Sequence, residues 1–306
     1  MDNVQKRISE TARLVEKATL EISPEENNET PDEKKKRMSD LEADPEAWFA
    51  YYFRKYASSK PAQFHKEASK RVLSNPEWYE VRMWSRELAK TTRTMMEVLY
   101  LTLVGYKSNA SPPHTTLPLS MYGPGVRSTP PSPSERAGES SLKRYVLMIS
   151  NSFDNACRLL LPYKFSLEKN QYLIRDYGIQ KKFGHWKSGE FITKQGIAFR
   201  ALGAGQSPRG TRNEEVRPDV ILFDDIDTDA DCLNPQLISK KWRWIEEAAI
   251  STRSVSVPLL VIFCGNRIAI DCCVERATKY ANHTDTKTTI KANSTETTYF
   301  RASGEV

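Results

Sequence analysis

The chain has 306 residues and carries 45 lysines and arginines against 39 aspartates and glutamates, a formal net charge of +6. This length suits one large domain or two small ones, and the positive charge permits a polyanionic partner. No apolar run approaches the roughly 20 residues of a membrane-spanning helix, and the polar N-terminus lacks a signal-peptide pattern. We therefore expect a cytoplasmic protein with no membrane partner. Five cysteines without CxxC spacing predict reduced thiols, not a disulfide framework or a zinc site.

The first 44 residues are expected to lie outside the core. Residues 1–20 place apolar side chains at helical spacing and predict a short helix. Residues 21–44 are charged, contain Pro24 and Pro31, and lack apolar periodicity, so they predict a flexible linker. The aromatic-rich segment that follows predicts that the globular domain begins at residue 45.

Strands and helices alternate through the predicted domain. A Pro- and Ser-rich segment, residues 107–141, interrupts the alternation and predicts a disordered insertion. The predicted elements are, in chain order, a helix at 61–74, a strand at 78–84, a strand at 143–150, a helix at 152–170, a hairpin at 190–203, a strand ending at Asp224, a helix from Pro235, a strand at 258–266 and a helix at 269–281. Such alternation with nearly continuous apolar strands is typical of an α/β fold, with a mainly parallel central sheet covered by helices on both faces.

The segment "WSRELAKTT", residues 84–92, lies between a strand and a helix and partly matches the phosphate-loop pattern GxxxxGK[ST]. Lys90 and Thr91 fit the pattern, whereas Trp84 and Ala89 stand at its two glycine positions. Backbone amides that enter a helix here would face an anion. The residues expected to contact a nucleotide are Arg86, Glu87, Leu88, Ala89, Lys90, Thr91 and Thr92. The alternative is an ordinary helix start that happens to carry a Lys-Thr pair.

Two adjacent carboxylates, Asp224 and Asp225, end the apolar strand "VILFDD". Beside a phosphate loop, Asp224 would hold magnesium and Asp225 would polarise the attacking water. The alternative is an acidic surface loop without a metal, and Asp227, Asp229 and Asp231 are expected to be solvated in this way or to bind cations weakly. The segment lacks the turn Gly and closing Glu of a calcium-binding EF-hand.

Two further segments carry candidate functional residues. The glycine-rich loop "GAGQSPRGTRNEEVRPD" contains Arg209 and Arg212, which could contact DNA phosphates or a neighbouring nucleotide, or could be solvated. The strand "LLVIFCGN" ends in Cys264, Gly265 and Asn266, which could sense a γ-phosphate. The alternative for Cys264 is a small core residue.

These segments, in this order, resemble the ATPase domain of the large subunits of phage terminases, the motors that pump DNA into proheads. The resemblance covers roughly residues 45–106 and 142–285, and its most specific part is "PRGTR" followed by RPD, an apolar strand and an acidic pair. It implies an ASCE-type P-loop NTPase fold and hydrolysis of ATP with Mg²⁺ in the host cytoplasm. It also implies double-stranded DNA, the portal protein and the small terminase subunit as partners, and a homo-oligomeric ring.

The resemblance assigns roles residue by residue. Lys90 and Arg86 match the phosphate-binding cations, and Thr91 and Asp224 match the magnesium ligands. Asp225 stands where the family usually has a catalytic Glu that is longer by one methylene. Lys90, Arg86 and Asp225 are thus the expected catalytic residues, and the segment from Cys264 to Asn266 matches the family's coupling motif.

The chain also departs from the family pattern. Large terminase subunits carry a nuclease domain with an acidic cluster, whereas the last segment here is Thr-rich, so no nuclease activity is expected. The expected division is an N-terminal helix and linker (1–44), an ATPase domain (45–285) and a C-terminal tail (286–306). The alternative functions are a catalytically weak remnant that binds nucleotide or DNA and a generic helicase-like P-loop ATPase, for which helicase motifs are not found.

Overall fold

A computed structural model of the chain describes residues 9–10, 12–13, 29–57, 59–106, 142–208, 216–254, 257–290 and 298–301. The expected insertion at 107–141 and most of the expected helix at 1–20 lie outside the described residues. Within the described ranges, no helix combines the length and the apolar character that a bilayer crossing needs.

The fold is built on one mixed, mostly parallel sheet, which confirms the predicted α/β class. Within the described residues its strands are β1 (Trp78–Trp84), β2 (Tyr145–Ser150), β3 (Lys181–Trp186), β4 (Glu190–Thr193), β5 (Ala198–Gly203), β6 (Val220–Asp224), β7 (Leu260–Cys264), β8 (His283–Ile290) and β9 (Thr298–Arg301). Their spatial order is β3-β4-β5-β2-β6-β7-β1-β8-β9. In this spatial order, six consecutive strands pair in parallel, namely β5, β2, β6, β7, β1 and β8. Strands β3 and β4 join antiparallel at one edge, and β9 joins antiparallel at the other.

Helices pack on both faces of the sheet. Those in the described ranges are α1 (Pro31–Ala43), α2 (Pro45–Tyr52), α3 (Gln63–Ser74), α4 (Lys90–Leu103), α5 (Phe153–Lys169), α6 (Gln171–Tyr177), α7 (Asp229–Cys232), α8 (Pro235–Trp244) and α9 (Cys273–Thr278). A π-helical turn, Ile245–Ala249, continues α8. Helices α2 to α6 contribute to one apolar cluster, and α8, the π turn and α9 contribute to the other.

The central strands supply both clusters because successive side chains of a strand point to opposite faces. In β6, for example, Val220 and Leu222 belong to the first cluster, whereas Ile221 and Phe223 belong to the second. A strand that is buried on both faces needs a continuous apolar run, and β6 is buried at every position. The helical cover on both faces that the sequence predicted is therefore confirmed.

The predicted flexible linker at 21–44 is wrong for its second half, which forms α1. Thr30 and Glu33 form a capping box at the start of this helix, and Pro31 occupies the first helical position. Arg37 then binds Asp176 near the end of α6, with Nη1–Oδ2 at 2.8 Å. No residue of α1 is buried, so the helix lacks the apolar periodicity by which it could have been recognised.

The expected C-terminal tail at 286–306 is also partly wrong, because the sheet continues into it. Strand β8 pairs in parallel with β1, from Glu80↔His283 to Trp84↔Lys287. The segment is polar but rich in threonine, a β-branched residue that favours strands. The domain boundary expected at residue 285 therefore falls inside a strand.

Strands β1, β7 and β6 set the position of the candidate site. Strand β7 lies between the other two and pairs in parallel with both. The carboxyl ends of all three therefore meet at one edge of the sheet. The predicted phosphate loop, the acidic pair and the CGN segment each begin at the last residue of one of these strands, which brings together residues that are far apart in the sequence.

Candidate functional site

The loop between β1 and α4 has a strained backbone. Glu87 and Ala89 have φ angles of 70° and 55°, in the left-handed region that non-glycine residues rarely adopt. Such a conformation costs about 1–3 kcal/mol and persists only where surrounding contacts hold it. Ala89 stands at the second glycine position of the phosphate-loop pattern, and its backbone has the conformation that a glycine would favour there.

A buried anchor holds this loop. Leu88 packs in a small cluster with Phe64 and Trp84, the last residue of β1. Nε2 of His65 lies 2.9 Å from the carbonyl oxygen of Leu88, and burial lowers the pKa of this imidazole. The neutral imidazole that this favours can donate to the carbonyl from Nε2. Sequence reasoning missed His65, because its contact with the loop spans 23 residues.

Lys90 is buried at the beginning of α4 and is held by neutral acceptors. Its Nζ donates to the carbonyl oxygen of Trp84 at 3.3 Å and to Oδ1 of Asn266 at 3.1 Å. Within the described ranges, Lys90 forms no ion pair with a carboxylate. Ala89 provides no side-chain cap for α4. A buried ammonium and uncapped helix amides thus share one location, and this combination favours an anion.

Thr91 and Asp224, the two expected magnesium ligands, form a hydrogen bond next to Lys90. The Thr91 hydroxyl donates to Oδ2 of Asp224 at 3.0 Å, while Oδ1 of Asp224 is buried and has no hydrogen-bond partner. Burial, and secondarily the charge of Asp225, raise the pKa of Asp224 to about 7. A buried carboxylate oxygen without a partner, next to a hydroxyl, fits the hard oxygen ligands that Mg²⁺ prefers.

Asp225 has a very different environment from its neighbour. Its side chain is exposed at the end of β6, and its backbone adopts a φ of 44°. Its N–H donates to the carbonyl oxygen of Cys264 at 2.9 Å, and its own carbonyl oxygen accepts from Nδ2 of Asn151 at 3.0 Å. These contacts fix the backbone of Asp225 and leave its carboxylate facing solvent.

Asn151 is a site residue that sequence reasoning missed. It directly follows β2, the strand next to β6, and its Oδ1 accepts from Nδ2 of Asn155 at 2.8 Å. A polar residue immediately after a buried strand was the available signal. The order β2-β6 was needed to show that it lies beside Asp225.

Cys264 and Gly265 connect the site to the buried centre of the fold. The Thr94 hydroxyl lies 3.4 Å from Sγ of Cys264 and accepts a hydrogen bond from Nη1 of Arg82 at 2.8 Å. Burial raises the pKa of Cys264 to about 12, so this thiol stays protonated at neutral pH. A Cβ at Gly265 would lie 3.2 Å from a methyl group of Val274, so space here is tight.

The other predicted site residues differ in how far their side chains are exposed to solvent. Arg86 and Glu87 are exposed on the loop, whereas Thr92 is half-buried in the first turn of α4. Arg209 and Arg212 lie outside the described residues.

The expectation that the acidic loop beyond Asp225 is merely solvated is wrong for Asp227 and Asp231. Asp227 accepts the backbone N–H groups of Cys273 and Val274 at 3.0 and 2.9 Å and so caps α9. Asp231 forms an ion pair with Lys241. Caps and ion pairs between separate elements cannot be read from an acidic run alone.

Among the described residues, no group of three or more His, Cys, Asp or Glu side chains could hold a metal ion by itself. Magnesium that binds with a phosphate needs fewer protein ligands, because phosphate oxygens and water complete its shell. The site therefore combines a cationic side chain, a hydroxyl–carboxylate pair and an exposed carboxylate, which together could hold a metal-bound phosphate ester next to a water-facing base.

A scan against models of known protein families found no match to this chain, and a search of curated proteins found no relative.

Proposed function

We propose that this chain binds ATP with Mg²⁺ at the carboxyl ends of β1, β6 and β7 and hydrolyses it. The observation that carries this proposal is the hydrogen bond between Thr91 and Asp224. These residues are 133 positions apart and were assigned to one magnesium site from the sequence. Asn266, from a third segment, contacts the adjacent Lys90. Such convergence supports a P-loop NTPase more strongly than any of the three segments does alone.

The residues of the site have separate roles in this proposal. Lys90 exchanges its contacts with Trp84 and Asn266 for phosphate oxygens and stabilises the negative charge that develops on them. Thr91 and Asp224 would hold the ion, the former with its hydroxyl and the latter with the carboxylate oxygen that has no hydrogen-bond partner. When bound, Mg²⁺ neutralises phosphate charge and orients the phosphates. Asp225 accepts a proton from the attacking water, for which its exposed carboxylate is accessible.

The strained loop suits this role. Successive backbone amides form an anion-binding concavity where a turn includes left-handed residues, as at Glu87 and Ala89. The strict pattern achieves this with glycine, and here the contacts of Leu88 and His65 hold the same kind of turn. Arg86, exposed at the start of the loop, can add a second positive charge next to the phosphates.

The biological setting that we propose is the packaging of double-stranded phage DNA by a terminase-type ring in the host cytoplasm. The support is the sequence resemblance, above all the "PRGTR" loop followed by RPD and β6. Partnership with DNA, a portal protein and a small terminase subunit belongs to this proposal.

A binding module without turnover is the second candidate. It is favoured by Asp225, whose carboxylate is shorter than the usual glutamate and has no side-chain partner among the described residues to aim it. A base that is not held in position loses much of its catalytic effect.

The test is steady-state phosphate release by the purified chain, with Mg²⁺ and with or without linear double-stranded DNA. A packaging ATPase should release phosphate, and DNA should accelerate it. The Lys90→Ala variant should lose this activity, which controls for contaminating enzymes. Tight Mg²⁺-ATP binding without release would select the second candidate, and absence of both binding and release would reject the site.

A further inference from the structure

Strand β3, at one edge of the sheet, exposes an aromatic side chain to solvent. Phe183 is 97% exposed, more than any other exposed large hydrophobic residue in the described ranges. Burial of a phenylalanine ring is ordinarily favourable, so this ring offers an apolar surface that a partner could cover if other features of the same hairpin also favour binding.

The hairpin formed by β3 and β4 is strongly basic. It carries Lys181, Lys182, Lys187 and Lys194 against a single acid, Glu190. Lys181 pairs with Glu168 at 2.6 Å, and Glu190 lies 3.7 Å from Arg200. Among the described residues, the other three lysines have no ion-pair partner. Their charges are therefore available to a polyanion.

Addition of another β-strand to this edge is disfavoured by the geometry of β3. The pairing with β4 shifts register between Lys181 and Trp186, as at a β-bulge. Gly184, within this stretch, has a φ of 77° that an ordinary strand residue would not adopt. Bulges and lysines are the features by which proteins prevent edge-to-edge strand pairing. A partner that binds at this edge should therefore contact the side chains of β3 and not its backbone.

Contacts with the rest of the domain hold the hairpin in place. The ring of Trp186 packs against Phe191, with centroids 4.5 Å apart, and its Nε1 donates to Glu168 at 2.8 Å. Lys164 donates to the carbonyl oxygen of Trp186 at 3.1 Å. A ring presented on a held strand loses little conformational entropy when it is covered by a ligand.

We propose that the hairpin from Lys181 to Lys194 binds a single-stranded segment of nucleic acid, with one base stacked on Phe183 and phosphates bound by the exposed lysines of the hairpin that have no ion-pair partner, Lys187 among them. An exposed aromatic ring flanked by lysines offers both components of such recognition, a stacking surface and backbone neutralisation. A duplex hides the faces of its bases and cannot use the ring in this way. Strand β3 lies four positions from β6 in the sheet, roughly 20 Å away, so this surface is separate from the nucleotide site.

The test is fluorescence anisotropy of a labelled oligothymidylate of about 15 nucleotides with the full chain, in the absence of ATP. The Phe183→Ala variant should bind about tenfold more weakly or worse. Phe183→Tyr should bind like the parent, and Phe183→Leu should be as weak as the alanine variant, because stacking needs a π face. The exposure of Phe183 means that these variants should fold normally, which circular dichroism can check.

Substitution of the lysines should instead change the salt dependence of oligonucleotide binding. Lys187→Gln should lower the slope of log affinity against log salt by about 0.7, the value for one phosphate contact on a single strand. Lys240→Gln, an exposed lysine on α8, is the matched control and should leave the slope unchanged. The assay contains no ATP, so a failure of the ATPase proposal does not affect this test.

Two results would overturn the proposal. One is equal oligothymidylate affinity of the parent and Phe183→Ala. The other is tighter binding of a duplex of the same length that is insensitive to all the Phe183 variants, which would show that the hairpin is a non-specific basic surface.

Discussion

Asp224 and Asp225 are neighbours in the sequence but lie in opposite environments. Asp224 is buried, and one of its oxygens has no hydrogen-bond partner, whereas Asp225 is exposed. The end of β6 causes this difference, because the chain leaves the strand at Asp225 with a φ of 44°. A buried carboxylate suits an ion, and an exposed carboxylate suits a proton acceptor.

The corresponding asparagine variants should therefore fail in different ways. Asp224→Asn should weaken binding of Mg²⁺-ATP, because the charge that faces the ion is removed. Asp225→Asn should retain binding and lose turnover by about 10²- to 10⁴-fold, because only activation of water is lost. Titration with a fluorescent ATP analogue and phosphate-release kinetics would measure the two effects. Two variants that bind and hydrolyse ATP like the parent would show that the acidic pair has no role in catalysis.

Asp227 provides a contrast within the same segment. Both carboxylate oxygens of Asp227 accept backbone N–H groups of α9, and an asparagine can accept with one oxygen only, so Asp227→Asn should leave Mg²⁺-ATP affinity unchanged and lower the free energy of unfolding by about 1 kcal/mol. Thermal denaturation and nucleotide titration of this variant would separate the two effects. A loss of nucleotide affinity in the folded variant would place Asp227 in the site after all.

Lys143, just before β2, is a buried amine outside the candidate site. Its Nζ donates to the carbonyl oxygens of Pro76 and Pro258 at 2.9 and 2.5 Å, and burial lowers its pKa to about 8. In the unfolded chain the pKa returns to its ordinary value near 10.5. Between these two values the unfolded chain binds more protons than the folded one, so the stability contributed by Lys143 rises with pH.

We therefore expect the parent protein to gain about 2 kcal/mol relative to Lys143→Met when the pH rises from about 8 to about 9.5. Urea denaturation of both proteins across this range would measure the difference, and titrations common to both would cancel. Parallel pH profiles would show that Lys143 remains charged in the folded protein.

At the scale of elements, α1 shows how a polar helix can be fixed without a core. Its capping box determines where it begins, and Arg37 attaches it to Asp176, whose side chain also accepts from Tyr52 at 2.8 Å. The sequence contained the capping signal, but the partner of Arg37 lies 139 residues away. A search for apolar periodicity alone could not find this helix.

The Arg37→Met variant should lower the free energy of unfolding by about 2 kcal/mol, since Asp176 would lose a bidentate partner in a largely buried position. Lys36→Met, on the exposed side of the same helix, is the matched control and should change it by less than about 0.5 kcal/mol. Chemical denaturation of the two variants would measure this. Equal effects would mean that α1 is not attached through Arg37.

At the scale of the whole molecule, the described chain on either side of segment 107–141 is close together. The N–H of Lys143 donates to the carbonyl oxygen of Leu101 at 3.1 Å, which brings the entry to β2 beside the end of α4. The fold therefore does not require a long connection between residues 106 and 142.

Replacement of residues 109–140 by a short Gly/Ser linker should leave the free energy of unfolding unchanged or raise it by about 1 kcal/mol, since a shorter loop costs less entropy to close. Differential scanning calorimetry of the parent and the deletion variant would test this. A loss of several kcal/mol would show that the segment packs on the domain.

The sequence by itself determined the features that depend on neighbouring residues. The strand that ends in the acidic pair, the Lys-Thr pair at a helix start and the helix from Pro235 could each be predicted, because burial patterns and helix starts are local. The resemblance predicted that Thr91 and Asp224 share one site, but only the tertiary structure decided the contacts that bring these segments together. The hydrogen bonds from Lys90 to Asn266 and from Thr91 to Asp224 span 176 and 133 residues and depend on β7 lying between β1 and β6. Strand order is set by the packing of the whole sheet, which no single segment encodes.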